Sequence, residues 1–486
     1  MSVVARHRKK IIALAVLVLG TTAAHFTAVV SSRMTPPSIS MTASNSPAVD
    51  GPDGVRRFGA NYTQIVDGVR VVSLSGTPEQ IGTAHARLLR DRMIADEGEV
   101  WGDFSKFVPI SPVRTLMMDV GRFRYRHVDD GVPEARRREL AAQASTFQPD
   151  PFADRMPTYE RMMFLHSLYD IALSFEHSPL LGCSAFGLGP ERTRDGHAIL
   201  ARAFDFEAGQ MYDRDKAVYF VAEDGAIPFA SVAWPGMVGV LSGMNLQGVA
   251  VVVNGGRAGE PRVAGEPVIF TLREVLENAH DTKEAIAILS KQEVMVSHIV
   301  FVADAAGHFA VVERAPGKPT FVRENKDESR VALTNHFEGP LANDPRNVTV
   351  ETKTTTLPRR EKLDEMLSSV EPHQADAARA VAMLRDHTCA SSIGACDLGD
   401  RRAIDPFIAT HGIVADTTAR VLWVSAGPHL SGKFVAFDLN AMFEKNHDPS
   451  GDRAAATIAE DPALRDGRIE AGEKRAGGPK FGGDKP

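Results

Sequence analysis

The chain has 486 residues, 43% of them hydrophobic, and a formal net charge of -7. That length and apolar content are enough for one large core or two ordinary ones. An acidic balance without a Lys/Arg stripe interleaved with aromatics excludes a nucleic-acid binder, and the three cysteines have no histidine or second cysteine pair at zinc-ligand spacing.

Taken in chain order, Arg6, His7, Arg8, Lys9 and Lys10 precede an apolar run that starts at Ile11 and continues to Val30. A basic start, a short apolar stretch and the small residues Ala23 and Ala24 are the pattern of a cleavable export signal. The extension to Val30 equally suits one anchoring helix with its basic end in the cytoplasm. Residues 1–30 are therefore read as signal peptide or membrane anchor, with membrane contact through this segment if it is kept. The expected location is periplasmic or on the outer membrane face, or secreted. Ser, Pro and Thr dominate residues 31–55, a composition that predicts a flexible tether.

The stretch "RVVSLSGTPEQIGTAHARLLRDRM" predicts a strand, a turn at Gly76-Thr77-Pro78, and a helix capped by Thr77 with Pro78 in its first turn. Helical spacing recurs through Arg161-Met162-Met163-Phe164-Leu165-His166 to about Phe175, so residues 56–182 read as mostly helical. Short strands follow at 183–188, 198–206, 217–222, 228–234, 238–242 and 249–253, with turns at Asp195-Gly196, Asp224-Gly225 and Gln247-Gly248. Two helices (268–279, 282–289), three strands (298–303, 309–313, 331–333), the helical "TLPRREKLDEML" and "ADAARAVAMLRDH", and a last set of strands complete residues 183–445. Runs of strands broken by helices predict an α+β body of sheets with helices on their outer faces. Residues 446–486, rich in Gly, Asp, Ala and Lys, read as a disordered tail.

Cys183 follows Gly182, opens a strand, and precedes a return strand that ends Arg202-x-x-Asp205. A thiol attacks as thiolate, so a neighbouring cation would make it reactive. A small buried core cysteine is the other reading, as a surface ion pair is for Arg202 and Asp205. Three residues apart on a strand, these two fall on opposite faces, so a bend or bulge is needed if both reach one site. Cys389 and Cys396 bracket "CASSIGAC", compatible with a disulfide in an oxidising compartment or with two buried thiols.

Several motifs in order then give a resemblance. "LLGCSAF" with "ARAFDF" resembles the nucleophile hairpin of N-terminal-nucleophile hydrolases of the isopenicillin N acyltransferase type (peptidase family C45), relatives of the choloylglycine hydrolases. "LSGTPEQIGTAHARLLR", "GMNLQGVAVVVNGG", "ALTNHF", "TTLPRREKL" and "HGIVADTTARVLWVSAGP" are similar to further segments of that family, from about Val72 to Phe437. The resemblance implies a four-layer αββα sandwich preceded by a helical pro-region, 56–182, that becomes a separate chain when the Gly182–Cys183 bond is cut. It implies that Cys183 is nucleophile and, through its new α-amine, base. Arg202 would sit beside the thiolate and Asp205 would hold the amine. Asn335 through its side chain and Asn254 through its backbone N–H would donate to the oxyanion, and Arg359, with Arg360 as the adjacent alternative, would support the site. No metal or organic cofactor is implied, and the substrate would be a small acyl-amide.

The chain departs from the family pattern at Ala203, Phe206 and His336, which weakens transfer of substrate preference. A Cys-His-Asp arrangement of Cys183 with His411 and Asp416 stays open. Trp234, Met237 and Phe270 are candidates for an acyl pocket and equally for core. The implied activity is amide hydrolysis through an acyl-enzyme. An acyltransferase using the same intermediate and a non-catalytic, membrane-tethered scaffold are the alternatives.

Overall fold

Two sheets stack face to face in the computed structural model, which describes residues 3–39, 46–174, 181–207, 209–324, 329–445 and 447–476. The larger runs from Val49–Asp50 through Arg56–Phe58, Asn61–Val66, Val69–Gly76, Ala217–Glu223, Phe229–Ala233, Ser242–Asn245, Ala250–Gly255, His298–Ala303 and Phe309–Arg314 to Phe321–Glu324. The smaller orders Arg330–Leu333, Leu181–Leu188, Ile199–Phe206, Ala409–Asp416, Val421–Ser425, Phe434–Asp438 and Ala456–Ile458. Neighbours are antiparallel except where Val69–Gly76 lies parallel to Ala217–Glu223.

The period of two in each strand sorts side chains into layers. Val71, Phe220, Val252 and Phe301 of the larger sheet face Ala185, Leu200, Ile413 and Val424 of the smaller. On the far side of the larger sheet, Val72, Tyr219 and Val251 pack on Ile81 and Leu88 of the helix Pro78–Phe107, Met163 of Thr158–His166 and Leu272 of Val268–Asn278. On the far side of the smaller, Phe186, Ala201 and Val414 meet Leu363 and Leu367 of Thr356–Ser368 and Val381 of Ala377–Leu384. The expected αββα sandwich is present.

Four departures from the sequence reading have local causes. Residues 56–182 are not only helical, because the Val66-Asp67-Gly68-Val69 turn takes φ of 51° at Asp67 and 91° at Gly68, the left-handed pair that a two-residue hairpin needs. The strands it joins, with Arg56–Phe58 before them, extend the larger sheet. The 31–55 segment is anchored where it is described: Met34 is buried in the helical layer, its N–H donates to Glu160 Oε1 at 3.3 Å, and Val49–Asp50 pairs with Arg56–Phe58.

The apolar run 238–242 is a loop, with the strand starting at Ser242. It follows Gly236 at φ 93°, and Gly239 lies so close to Ile269 that an added Cβ would stand 2.6 Å from it, so burial rather than strand pairing accounts for its apolarity. The presumed tail is seated from 447 to 476. Ala456–Ile458 adds an edge to Phe434–Asp438, and Ile469 of the helix Arg468–Ala476 packs with Phe407. An edge strand three residues long needs little apolar pattern. The rest of that segment, 446 and 477–486, lies outside the described residues, as does Phe175.

Val3–Ser31 forms one 29-residue helix, whose His25 Nδ1 lies 2.8 Å from Asp119 Oδ2 of the helix Ser111–Arg124. Among the described residues no helix is long and apolar enough to cross a membrane.

Candidate active site

Leu181–Leu188 and Ile199–Phe206 form a regular hairpin in which Gly182 stands opposite Asp205, Cys183 opposite Phe204 and Ala185 opposite Arg202. Cys183 is the free cysteine, fully buried, while Cys389 and Cys396 are joined in a disulfide with Cα atoms 5.8 Å apart. The Cys183 and Arg202 side chains share the face turned toward the larger sheet. Arg202 Nη2 donates to Cys183 Sγ at 3.5 Å and to the Val253 carbonyl at 2.5 Å, and Nη1 donates to Ser242 Oγ at 2.5 Å. His411 Nε2 lies 3.0 Å from Ser242 Oγ and 3.3 Å from Arg202 Nη1. None of these partners is a carboxylate. Burial pushes the Cys183 thiol up, and Arg202 is the largest force opposing that rise.

Asp205 lies on the other face, beneath Gly182. A Cβ on Gly182 would stand 3.3 Å from Asp205 Oδ2 and 3.9 Å from Arg359 Nη2, so the absence of a side chain lets the carboxylate approach the backbone that precedes the nucleophile. Burial pushes Asp205 up to about 7 against the pull of Arg359. Its Oδ1 is buried with no partner among the described residues.

No bulge in the Ile199–Phe206 strand brings Arg202 and Asp205 together. The register shift lies in the neighbouring strand, between Ala409 and His411, and the two charges address the nucleophile from opposite faces, one at its sulfur and one below its backbone.

Arg359 joins the backbone side. Nη1 donates to the Cys183 carbonyl at 2.6 Å and to Ser184 Oγ at 2.9 Å, and Nη2 donates to Asn335 Oδ1 at 2.7 Å. Asn335 Oδ1 also accepts the Cys183 N–H at 2.9 Å, its Nδ2 donates to the Gly255 carbonyl at 2.8 Å, and Thr356 Oγ1 holds its backbone N–H at 2.9 Å. Asn254 Nδ2 donates to the Thr334 carbonyl at 2.9 Å, which ties its strand to the one that delivers Asn335. Arg360 points away and pairs with Glu338 at 2.7 Å. Asp416 is remote from Cys183 and bonded to His197 Nδ1 at 2.8 Å, so His411 and Asp416 do not form a triad with it.

A largely apolar cavity of about 140 Å³ borders the thiol side. Phe204 and Tyr169 line it, Phe204 being the cross-strand partner of Cys183 and lying 4.1 Å below the Arg202 guanidinium. Trp234 and Met237 line it as expected. Phe270 does not and instead stacks on His166, with ring centroids 5.8 Å apart. Two acids stand on its wall: Asp96, pushed up to about 7 by burial and by Asp215, and Glu97, which burial also pushes up although it is paired to Arg161.

Sequence reasoning did not find Ser242, Thr356 or Tyr169. Their signal is a contact between distant strands and helices, and the local pattern at each reads as ordinary core. His411 it found for a different role.

Residues 192–400 match the acyl-coenzyme A:6-aminopenicillanic acid acyl-transferase family. The chain is similar to a solved N-acylethanolamine-hydrolyzing acid amidase ortholog of Caenorhabditis elegans at 18% identity and TM-score 0.34, covering 49% of this chain and 93% of that one. It is similar to a mutant conjugated bile acid hydrolase from Clostridium perfringens at 13% and 0.35, covering 57% and 97%. For penicillin V acylase from Agrobacterium tumefaciens the figures are 17% and 0.31, covering 50% and 82%. An uncharacterized protein of Archaeoglobus fulgidus is 24% identical over 162 residues, 31% of this chain, and the chain spans about a quarter, 27%, of that relative's length. Across residues 192–400, then, the chain is similar to an acyl-transferase family of the type its motifs resemble.

Proposed function

We propose that this protein is an exported, self-processing N-terminal cysteine amidohydrolase acting on a small substrate with an apolar acyl group. The observation that carries the reading is the free Cys183 thiol, bonded to the buried Arg202, which has no carboxylate partner among the described residues; Phe204 opposite it lines an apolar cavity, and its own backbone N–H is held by Asn335.

In maturation, Cys183 Sγ attacks the Gly182 carbonyl carbon. The S–C bond forms, the Gly182–Cys183 C–N bond breaks, and the thiol proton passes to the departing nitrogen. Water then cleaves the thioester and leaves Cys183 as a new N-terminus. The partnerless Oδ1 of Asp205 supports this step, since a new ammonium at Cys183 gives the buried carboxylate a counter-ion.

In turnover the α-amine takes the thiol proton and the thiolate attacks the amide carbon. The oxyanion is stabilised by the Asn335 side chain and the Asn254 N–H, and the leaving amine recovers the proton. Water, deprotonated by the α-amine, then releases the acid from the Cys183 acyl-enzyme. A cavity of roughly 150 Å³ accommodates a benzene-sized group, which favours a phenyl-bearing or medium alkyl acyl chain. The transferase reading differs only in the acceptor that replaces water, and the similarity of residues 192–400 to an acyl-transferase family supports it.

The segment ahead of Cys183 would stay bound as the partner chain, because its strand Val69–Gly76 pairs along its length with Ala217–Glu223. Export is supported by the basic start and apolar run of residues 6–30 and by the Cys389–Cys396 disulfide.

The test is intact mass and N-terminal sequencing of the wild type beside Cys183→Ala, followed by an amide panel. Two fragments, one starting at Cys183, in the wild type alone would support the reading. An uncut wild type would remove the proposed base and with it the mechanism.

A further inference from the structure

The wall of the cavity formed by the loop Trp234 to Val238 is held from two places ahead of Cys183. His85, on the helix Pro78–Phe107, accepts the Gly236 N–H on Nε2 at 2.9 Å. His166, at the end of the helix Thr158–His166, accepts the Val238 N–H on Nε2 at 2.9 Å. Between them the Met237 N–H turns back on the Trp234 carbonyl at 2.9 Å, so alternate amides of one short loop are carried by two imidazoles from a different segment. A backbone N–H only donates, which fixes both rings as neutral acceptors at Nε2. Burial favours that form, pushing His85 down to about 3 and His166 to about 4.

His166 completes the tautomer by donating Nδ1–H to the Met162 carbonyl at 2.6 Å. The loop has reason to need the support: Gly236 takes φ 93° with Met93 closely packed against it, and Gly236, Met237 and Trp234 all face the cavity. Neither histidine takes part in the chemistry at Cys183.

Resting on the reading of Cys183 as an acyl-accepting nucleophile, we infer that His85 and His166 are positioning residues for the acyl cavity. Through them the segment ahead of the cleavage point sets which acyl group the catalytic segment accepts. The segment supplies part of the lining directly, with Met93, Met162, Leu165 and Tyr169 among its side chains. The two imidazoles extend its control to the loop across the cavity.

The test uses the full-length protein and the p-nitrophenyl esters of acetate and octanoate, with acylation of Cys183 followed by nitrophenol release and intact mass. His85→Leu and His166→Leu should each raise KM for the octanoyl ester about tenfold while kcat for the acetyl ester changes less than about twofold. His→Gln at either position places an amide oxygen near the lost Nε2 and should restore the KM, whereas His→Asn, one methylene shorter, should not. Equal loss on both esters, or a Gln variant no better than Asn, would overturn the inference. The Gln–Asn comparison decides it even if the Leu variants fail to fold.

If the wild type forms no acyl-Cys183, the functional reading fails and the inference is read separately, by fluorescence titration with the neutral apolar probe N-phenyl-1-naphthylamine. Binding weakened in the Asn variants and restored in the Gln variants would support the latch, and equal binding in all would overturn it.

Discussion

Arg202 and Asp205 sit three residues apart on one strand, equally out of reach of water, and their surroundings differ in kind. The arginine is met by a hydroxyl, a carbonyl, an imidazole and a thiol, so its charge is left for whatever anion forms at Cys183. The aspartate has a cation in range, Arg359, yet that guanidinium spends its hydrogen bonds on Cys183 O, Ser184 and Asn335, and burial still pushes the carboxyl up to about 7. One face of the strand therefore sets a cation beside the sulfur and the other holds a buried carboxyl whose Oδ1 has no partner among the described residues, which under the proposed self-processing would serve a thiolate and a new α-ammonium. A single buried strand can serve both needs because the pleat separates the two side chains while Gly182 and Cys183 pass between them.

The largest effect should come from removing the charge on the thiol face. Arg202→Met takes away the main force opposing the rise of the Cys183 thiol, and loss of a cation at this range raises a pKa by about 1–3 units. Amide turnover at neutral pH should fall by about 10²- to 10³-fold, and the midpoint of iodoacetamide inactivation against pH should move up. Arg202→Lys should fall between, since an ammonium keeps the charge but not the fork that reaches Ser242 and Val253 together. An unchanged inactivation profile would remove Arg202 from the mechanism.

Asp205→Asn should have a smaller and differently shaped effect: the chain is still cut at Gly182–Cys183, but turnover drops by about 10²-fold because the new amine loses its anchor. The uncut state gives an independent reading. A carboxyl whose folded pKa is raised to about 7 binds its proton more tightly in the folded chain, so its contribution to stability is full below the ordinary carboxyl range and is lost as pH rises through 7. In the uncut Cys183→Ala background, urea midpoints should decline from pH 4 to pH 8, and adding Asp205→Asn should flatten part of that decline. A slope untouched by the second substitution would show that other raised carboxyls, such as Asp96 or Asp170, account for it.

The contrast between the two faces also marks what the sequence could reveal. Cys183, Arg202, Asp205, Asn335 and Arg359 were legible because each lies in a short ordered motif, and the structure brings them together around one peptide bond. Their division between faces was only half legible. Alternation put Arg202 and Asp205 on opposite sides, but that the carboxylate meets the backbone at Gly182, with no bulge needed, depends on the register with the preceding strand. The bulge lies where no local signal marks it, at Ala409–His411 in the next strand. Ser242 and the two histidines under the cavity loop depend on contacts across 40 to 169 residues of chain. Sheets with helices on their outer faces were legible in the alternation of strands with helices, and the four-layer sandwich was what the family resemblance implied, whereas the hairpin at Asp67-Gly68 and the edge strand Ala456–Ile458 were lost in segments whose overall composition pointed elsewhere.

Ser242→Ala separates the strength of the thiol face from its mere charge. The hydroxyl accepts from Arg202 Nη1 and stands beside His411 Nε2, so its removal leaves the guanidinium in place but less firmly aimed. Turnover should fall by about 10- to 100-fold, the scale of one hydrogen bond from a charged donor at about 1.5–3 kcal/mol, with a small upward move of the iodoacetamide midpoint. A loss as large as that of Arg202→Met would mean that Ser242 takes part in the chemistry directly.

The smallest effect should be at Asp416, and it bears on whether the second strand face needs a histidine–carboxylate couple. Asp416 closes the same strand that begins near His411, but its carboxylate is taken by His197 at 2.8 Å and by the Ala419 N–H at 2.8 Å. The pair is partly exposed, an arrangement worth about 0–1 kcal/mol in most proteins. Asp416→Asn should leave turnover within about twofold of wild type and lower the urea midpoint only slightly. A drop near that of Asp205→Asn would reinstate a conventional cysteine–histidine–aspartate relay.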